Sequence, residues 1–267
     1  MPSKTSSNRS NSGCGCLAVT MIAVLSIIGV VGAMTMFTGP VTMPFTKEPI
    51  PADVPPAAAE PAPAVATSIP EGRPANQLAQ WAQPISDKTR ISVQAVQAYG
   101  LAERMAAEEF PECHLHWNTL AGLGYVETRH GTYGGDWLNR SKLDAEGKAT
   151  PAIIGVPLDG SPGFAEIRDT DDGVLDQDKQ WDRAVGPMQF IPESWRTYGV
   201  DASGDGIADP NQIDDAAASA ARLLCANGRD LDTEQGWAEA IRAYNYSGDY
   251  LVDVRDAAAN YALGQPA

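Results

Sequence analysis

Residues 113–131 read CHLHWNTLAGLGYVETRHG. Trp117, Leu120, Leu123 and Val126 recur at the spacing of one helix face. This pattern predicts a helix from Cys113 to His130, with Gly131 as its C-cap. The segment is apolar nearly all round, so most of the helix is expected to be buried. Glu127 stands at its end. Desolvation raises a carboxyl pKa and keeps the proton available for general-acid work. The helix C-terminus disfavours a nearby negative charge in the same sense. On local sequence alone, an exposed or ion-paired glutamate is the commoner reading.

Downstream the pattern stays helical. Phe190–Tyr198 reads as a short helix. Asp214–Asn227 reads as a strong one, with acids at its start, alanine through its middle and Gly228 just beyond. Residues 236–247 and 249–263 offer two more. Upstream, Ile91, Val93, Val96 and Leu101 lead into an Ala/Glu stretch. Residues 132–182 are rich in Gly, Asp and Pro, with little periodicity and room for a small strand pair. The expected fold class is α+β, mainly α, with long loops.

Composition divides the 267 residues into zones. Lys and Arg total 19 against 34 Asp and Glu, a formal charge of −15. Such a balance argues against a nucleic-acid partner, which draws on clustered Lys and Arg. It argues equally against docking on anionic lipid heads. Residues 1–85 are neutral overall, so the whole excess lies in 86–267. Residues 1–16 are polar, with Lys4 and Arg9. Leu17–Phe37 is a run of 21 residues without a charge, and about 20 span a bilayer as a helix. Basic residues ahead of it put that end in the cytoplasm. The expectation is a cytoplasmic tail (1–16) and a single-pass transmembrane helix (17–37), with the remainder outside the cell membrane. A cleaved signal peptide is the rival reading. Residues 38–85 carry 11 of the 20 prolines. They are expected to form a stretched, disordered Pro/Ala-rich linker, leaving 86–267 as the folded domain.

Only Cys113 and Cys225 lie in that domain. Outside the membrane an oxidising setting permits a bridge between them. Closing a loop of roughly 110 residues would stabilise the domain by about 4–5 kcal/mol in the chain-entropy model. Two separate buried thiols are the alternative.

Two further stretches carry polar chemistry. In AVGPMQFIPESW (184–195), Gly186 permits close backbone approach, and Gln189 offers a donor and an acceptor for sugar hydroxyls or acetamides. In AYNYSGDY (243–250), Tyr244 and Asn245 set an aromatic face beside an amide, a common lining for a carbohydrate cleft. Taken singly, the first is an ordinary loop before a helix. In the second, Tyr244 is ordinary core packing and Asn245 a cap.

In this order, ETRHG, GPMQFIPESW and AYN together resemble the lysozyme-like lytic transglycosylases of bacterial peptidoglycan, particularly their membrane-bound B-type branch. The resemblance covers roughly 90–260. It implies a lysozyme-like domain with a long sugar-binding cleft. It implies that Glu127 is the sole catalytic acid/base and that Gln189, Tyr244 and Asn245 line the cleft. Glu193 departs from the family, which more often has Ser or Thr there. The implied reaction cleaves the β-1,4 bond between MurNAc and GlcNAc and closes a 1,6-anhydroMurNAc ring. No cofactor is implied for catalysis. The implied partners are peptidoglycan glycan strands, and the membrane through residues 17–37. A hydrolytic muramidase and a non-catalytic wall-binding module are the alternatives.

DASGDGIAD (201–209) is close to the start of an EF-hand loop. Asp201, Ser203 and Asp205 alternate, Gly206 makes the turn, and the carbonyl of Ile207 follows. The closing Glu is absent, Gln212 taking its place. The B-type branch has a lengthened calcium loop closed by an Asp just before an Ala-rich helix, which implies Asp215 as the last ligand of a structural calcium. A plain Gly/Asp turn is the alternative. A second acidic run, Asp169, Asp171, Asp172, Asp176 and Asp178, is expected to be a solvated loop.

Overall fold

The structure, a computed structural model, describes residues 47–132 and 140–267, and the helix that holds Glu127 is among them. Trp117–Thr128, here α3, is buried on nearly every side, as its composition predicts. It begins four residues later than the sequence pattern suggests. His114 has a left-handed backbone (φ 51°) that no helix accommodates. The helix start is capped from another element, because Glu103 accepts the Trp117 N–H at 3.0 Å. Gly122 lets its neighbour approach closely: a Cβ there would lie 2.7 Å from the Val254 carbonyl oxygen.

Six other α-helices lie among the described residues. They are α1 (Ala79–Thr89), α2 (Val93–Glu109), α4 (Pro192–Tyr198), α5 (Ile213–Cys225), α6 (Glu234–Tyr244) and α7 (Gly248–Ala262). Ser92 caps α2 through the Ala95 N–H, and Thr233 caps α6 through that of Gly236. α7 packs along α3, and the alanine face of α5 lies on α2. Val96, Tyr99, Leu120, Leu123, Leu224 and Trp237 meet in one core. The expected strand pair is two pairs. β1 (Lys142–Leu143) lies antiparallel to β2 (Ala149–Thr150), and β3 (Ile154–Pro157) to β4 (Arg183–Val185). Cys113 and Cys225 form a disulfide with Cα atoms 5.4 Å apart. The result is the helix-rich α+β architecture expected of a lysozyme-like domain.

The linker expectation needs correction. Residues from Glu48 onward belong to the same compact unit as the rest of the domain. An extended Pro-rich chain has no internal hydrogen bonds, and here side chains of the domain supply them. Asn118 accepts the Ala59 N–H (3.1 Å) and donates to the Ala57 carbonyl (3.0 Å). Glu103 accepts the Ala62 N–H (2.7 Å), and the Trp117 indole donates to the Glu60 carbonyl (2.9 Å). Ala59 and Ala62 are buried. The strap ends at Arg73, whose buried guanidinium clamps both carboxylate oxygens of Asp214 at 2.6 and 2.9 Å. A 3₁₀ turn, Pro74–Leu78, then leads into α1.

The expected tail (1–16) and transmembrane helix (17–37) lie outside the described residues. Among the described residues no helix is long and apolar enough to cross a membrane.

Candidate active site

Glu127 is the second-last residue of α3, and the chain then turns sharply. Arg129, His130 and Gly131 all have positive φ (52°, 60° and 80°). Two side chains anchor the turn. Thr128 accepts the Gly131 N–H at 2.8 Å and donates its hydroxyl to the Pro187 carbonyl at 2.6 Å. His130 is buried between Tyr99 (3.1 Å from Nδ1) and Tyr261 (2.8 Å from Nε2). Burial, with Arg129 nearby, pushes the imidazole down to about 3, so it is a neutral strut joining α2, α3 and α7. The ETRHG stretch therefore fixes the direction in which Glu127 leaves the helix.

The Glu127 carboxyl is half-buried at the floor of a cavity of about 550 Å³. Burial raises its pKa to about 7, and a hydrogen bond from Tyr250 partly offsets this. The Tyr250 hydroxyl donates to Oε1. Gln189, Tyr244 and Asn245 line the same cavity. All four residues expected at a sugar cleft therefore meet in one place. Among the described residues lining it, Glu127 is the sole carboxylate.

The GPMQF stretch is a tight reversal after β4. Val185 and Phe190 exchange both backbone hydrogen bonds (2.8 and 3.0 Å). Gly186 has φ +75°, and a Cβ there would sit 1.7 Å from the Pro210 carbonyl oxygen, so no other residue fits. Gln189 itself takes φ 50°. Its amide donates to the Gly186 carbonyl at 3.0 Å. Tyr244 packs against this reversal, its hydroxyl donating to the Met188 carbonyl at 2.6 Å and its ring edge-on to Phe190. Asn245 is exposed, and its Oδ1 accepts the Ser247 N–H. Beyond the motifs, the β3 side of the cleft presents Val156 and Phe164, both half-exposed apolar side chains. Glu193 does not line the cavity, and its nearest ionic neighbour is Arg196 on the same short helix.

Tyr250, which bonds the Glu127 carboxyl, is the neighbour that sequence reasoning missed. A signal was present, since it ends the AYNYSGDY stretch. One residue of α7 thereby touches the acid of α3, 123 positions earlier.

Residues 170–260 match the transglycosylase SLT domain family. No curated protein and no solved structure matches the chain. The match supports the lysozyme-like lytic transglycosylase superfamily and a peptidoglycan glycan as substrate. It includes Gln189, Tyr244 and Asn245, but it begins after Glu127. The fold supplies the connection: Thr128 bonds to Pro187, and Tyr250 to Glu127, both partners lying within the matched segment.

The two acidic loops are organised differently from each other. In the first, Asp201 accepts the Ser203 hydroxyl and the N–H groups of Gly204 and Gly206, and Asp205 accepts the Ile207 N–H. Asp215 accepts the N–H groups of Ala202, Ser203 and Asp209, so it gathers the loop beneath it. Burial raises the Asp215 carboxyl to about 7. The second loop is only in part the solvated run that composition suggests: Asp172 is exposed, whereas Asp169, Asp171 and Asp178 are half-buried. Asp176 and Asp182 are buried, and Asp182 accepts the Thr170 N–H and hydroxyl, both at 2.8 Å. Among the described residues, Asp169, Asp171 and Asp182 form the one group of three acidic side chains with oxygens within 4.8 Å of one another.

Proposed function

We propose that this protein is a membrane-anchored peptidoglycan lytic transglycosylase of the B-type branch. It would cleave between MurNAc and GlcNAc, with Glu127 as acid and then base. One observation carries the reading: a single carboxyl, its pKa raised by burial to about 7, lines the same cleft as Gln189, Tyr244 and Asn245. Ordinary glycosidases set two carboxylates across the scissile bond. A transglycosylase needs one.

Protonated Glu127 donates to the glycosidic oxygen as the bond from C1 to that oxygen breaks. The substrate's own acetamide stabilises the positive charge developing at C1. Ionised Glu127 then takes the proton of the MurNAc 6-hydroxyl, whose oxygen bonds to C1 and closes the 1,6-anhydro ring. No water is consumed, and Glu127 ends protonated as it began. A pKa near 7 suits a group that must give and then receive a proton. The Tyr250 hydrogen bond stabilises the ionised form between the two steps. Gln189 and Asn245 offer amides to the sugar substituents, and Tyr244 fixes the wall between them.

The anchor is residues 17–37, with the domain outside the membrane. The disulfide supports an oxidising compartment. A structural calcium at Asp201, Ser203, Asp205, the Ile207 carbonyl and Asp215 belongs to the same proposal. It would tie the loop ahead of α5 and take no part in the chemistry.

The test is mass spectrometry of the fragments that the full-length protein releases from purified peptidoglycan. Products ending in 1,6-anhydroMurNAc, absent with Glu127→Gln, are the expected result. Products heavier by one water make the protein a hydrolytic muramidase. Wall binding without cleavage by the wild type makes it a binding module.

A further inference from the structure

The last turn of α6 separates two cavities. Tyr244 and Asn245 line the catalytic cleft, whereas Arg242 and Tyr246 line a second cavity of about 430 Å³ with Asn227, Arg229 and Glu239. Ala243 lines both, so the two share a rim. The second cavity departs from the chemistry of the chain as a whole. In a protein of net charge −15 it holds two arginines and one acid.

The side chains differ in how they are held. Arg229 is tethered, its Nη1 donating to the Leu223 and Leu224 carbonyls at 2.8 and 3.1 Å at the end of α5. Its remaining donors are uncommitted among the described residues. Arg242 is exposed and makes no hydrogen bond or ion pair among the described residues. Glu239, the acid of the group, already accepts from Gln235 at 2.8 Å. Tyr246 is 86% exposed, an aromatic face with nothing packed on it. A fixed cation, a free cation and an open aromatic ring together suit a short chain bearing a carboxylate.

We propose that this rim is a subsite for the carboxylate-bearing peptide attached to the glycan strand, with Arg242 and Arg229 taking a peptide carboxylate and Tyr246 covering the chain beside it. The inference rests on the glycan reading of the cleft. A sugar lying along Tyr244 and Asn245 projects its substituents over the rim formed by residues 242–246. The peptide is the substituent that carries free carboxylates. The two arginines set positive charge beside the cleft in a protein of net charge −15, which favours an anion at this rim.

The experiment compares full-length wild type, Arg242→Gln and Arg242→Glu on two substrates: intact glycan strands, and strands stripped of peptide by an amidase with the freed lactyl carboxylate capped as its methylamide. An exposed ion pair is worth about two- to fivefold in binding, and reversing the charge about doubles that effect in free energy. Arg242→Gln should raise KM for peptide-bearing strands about threefold and Arg242→Glu about tenfold, with kcat little changed. The effect on stripped strands should stay below twofold. The wild-type preference for intact strands should fade as salt rises from low to physiological strength. Equal losses on both substrates, or no loss on either, overturn the subsite. Cleavage of stripped strands by wild type tests the proposed function separately, and Glu127→Gln protein supplies the binding comparison without turnover. Equal affinity of that variant for both strands overturns the subsite while leaving the glycan reading standing. Tighter binding to strands bearing anionic phosphate polymers than to peptide-bearing strands overturns the peptide assignment.

Discussion

Glu127→Gln is expected to stop cleavage and, above neutral pH, to make the protein more stable. The carboxyl titrates at 4.5 in a free chain and at about 7 in the fold, because burial disfavours its charge. Between those values the folded state holds a proton that the unfolded state has lost. Wild-type stability therefore falls as pH rises from about 4.5 to about 7, and the full deficit is present above that. At about 1.36 kcal/mol per unit, the shift corresponds to about 3 kcal/mol. The side chain is half-buried in an open cleft, so water reduces the effect to about 1–2 kcal/mol. Glutamine has nearly the same shape, accepts the Tyr250 hydrogen bond through its carbonyl and never ionises. Thermal melts of both proteins should then coincide near pH 4.5 and diverge by about 2–8 °C at pH 8, for a domain of this size. Every other titrating group is common to both proteins and cancels in the difference. A pH-independent gap, or a variant less stable at pH 8, would refute the raised pKa and with it the acid–base assignment.

Tyr250→Phe removes the donor that favours ionised Glu127, so the Glu127 pKa should rise from about 7 by about one unit. The basic limb of the kcat/KM profile should move with it, and a limb that stays put or moves towards acid would disprove the coupling. Arg73→Ala leaves Asp214 buried without its partner, which costs about 3–5 kcal/mol. A loss below about 1 kcal/mol in urea titration would mean that the strap does not clamp the domain. Calcium should raise the melting temperature, and Asp201→Ala should abolish that gain. A melting curve indifferent to calcium would favour the plain turn.

Helices α5, α6 and α7 were legible within a few residues, because their periodicity and caps are local signals. The start of α3 was not, because it is set by Glu103 of α2 and by the left-handed His114. The strap was misread for a similar reason. Proline content predicts an extended chain, and an extended chain it is, but no local pattern shows that Asn118 and Glu103 wait to pair with it. The same limit explains the acidic loop around Asp182, whose carboxylates, Asp172 excepted, accept backbone N–H groups of the loop itself. At the candidate site, Glu127, Gln189, Tyr244 and Asn245 stand out by their motifs, and the structure lines one cleft with all four. Tyr250 and the Tyr99–His130–Tyr261 strut were not, since each contact joins separate elements across the core.

The position of Glu127 explains why its surroundings are so strictly built. The acid lies outside the segment that matches the transglycosylase family, on a helix whose own sequence does not aim it. The aim comes from bonds across that boundary. Thr128 is held by the Pro187 carbonyl, in the reversal that also carries Gln189. The carboxyl is held by Tyr250, six residues beyond Tyr244 and on the next helix. Gly186 keeps the reversal pressed against Pro210, and His130 keeps α3 and α7 at a fixed separation. A displacement of any of these moves the acid relative to the amides that line the same cleft. Substitutions at Gly186 or His130, neither of which lines the cleft, should therefore lower kcat more than they raise KM. A variant at either position that folds and changes KM alone would show that the cleft, and not the carboxyl, is what they position.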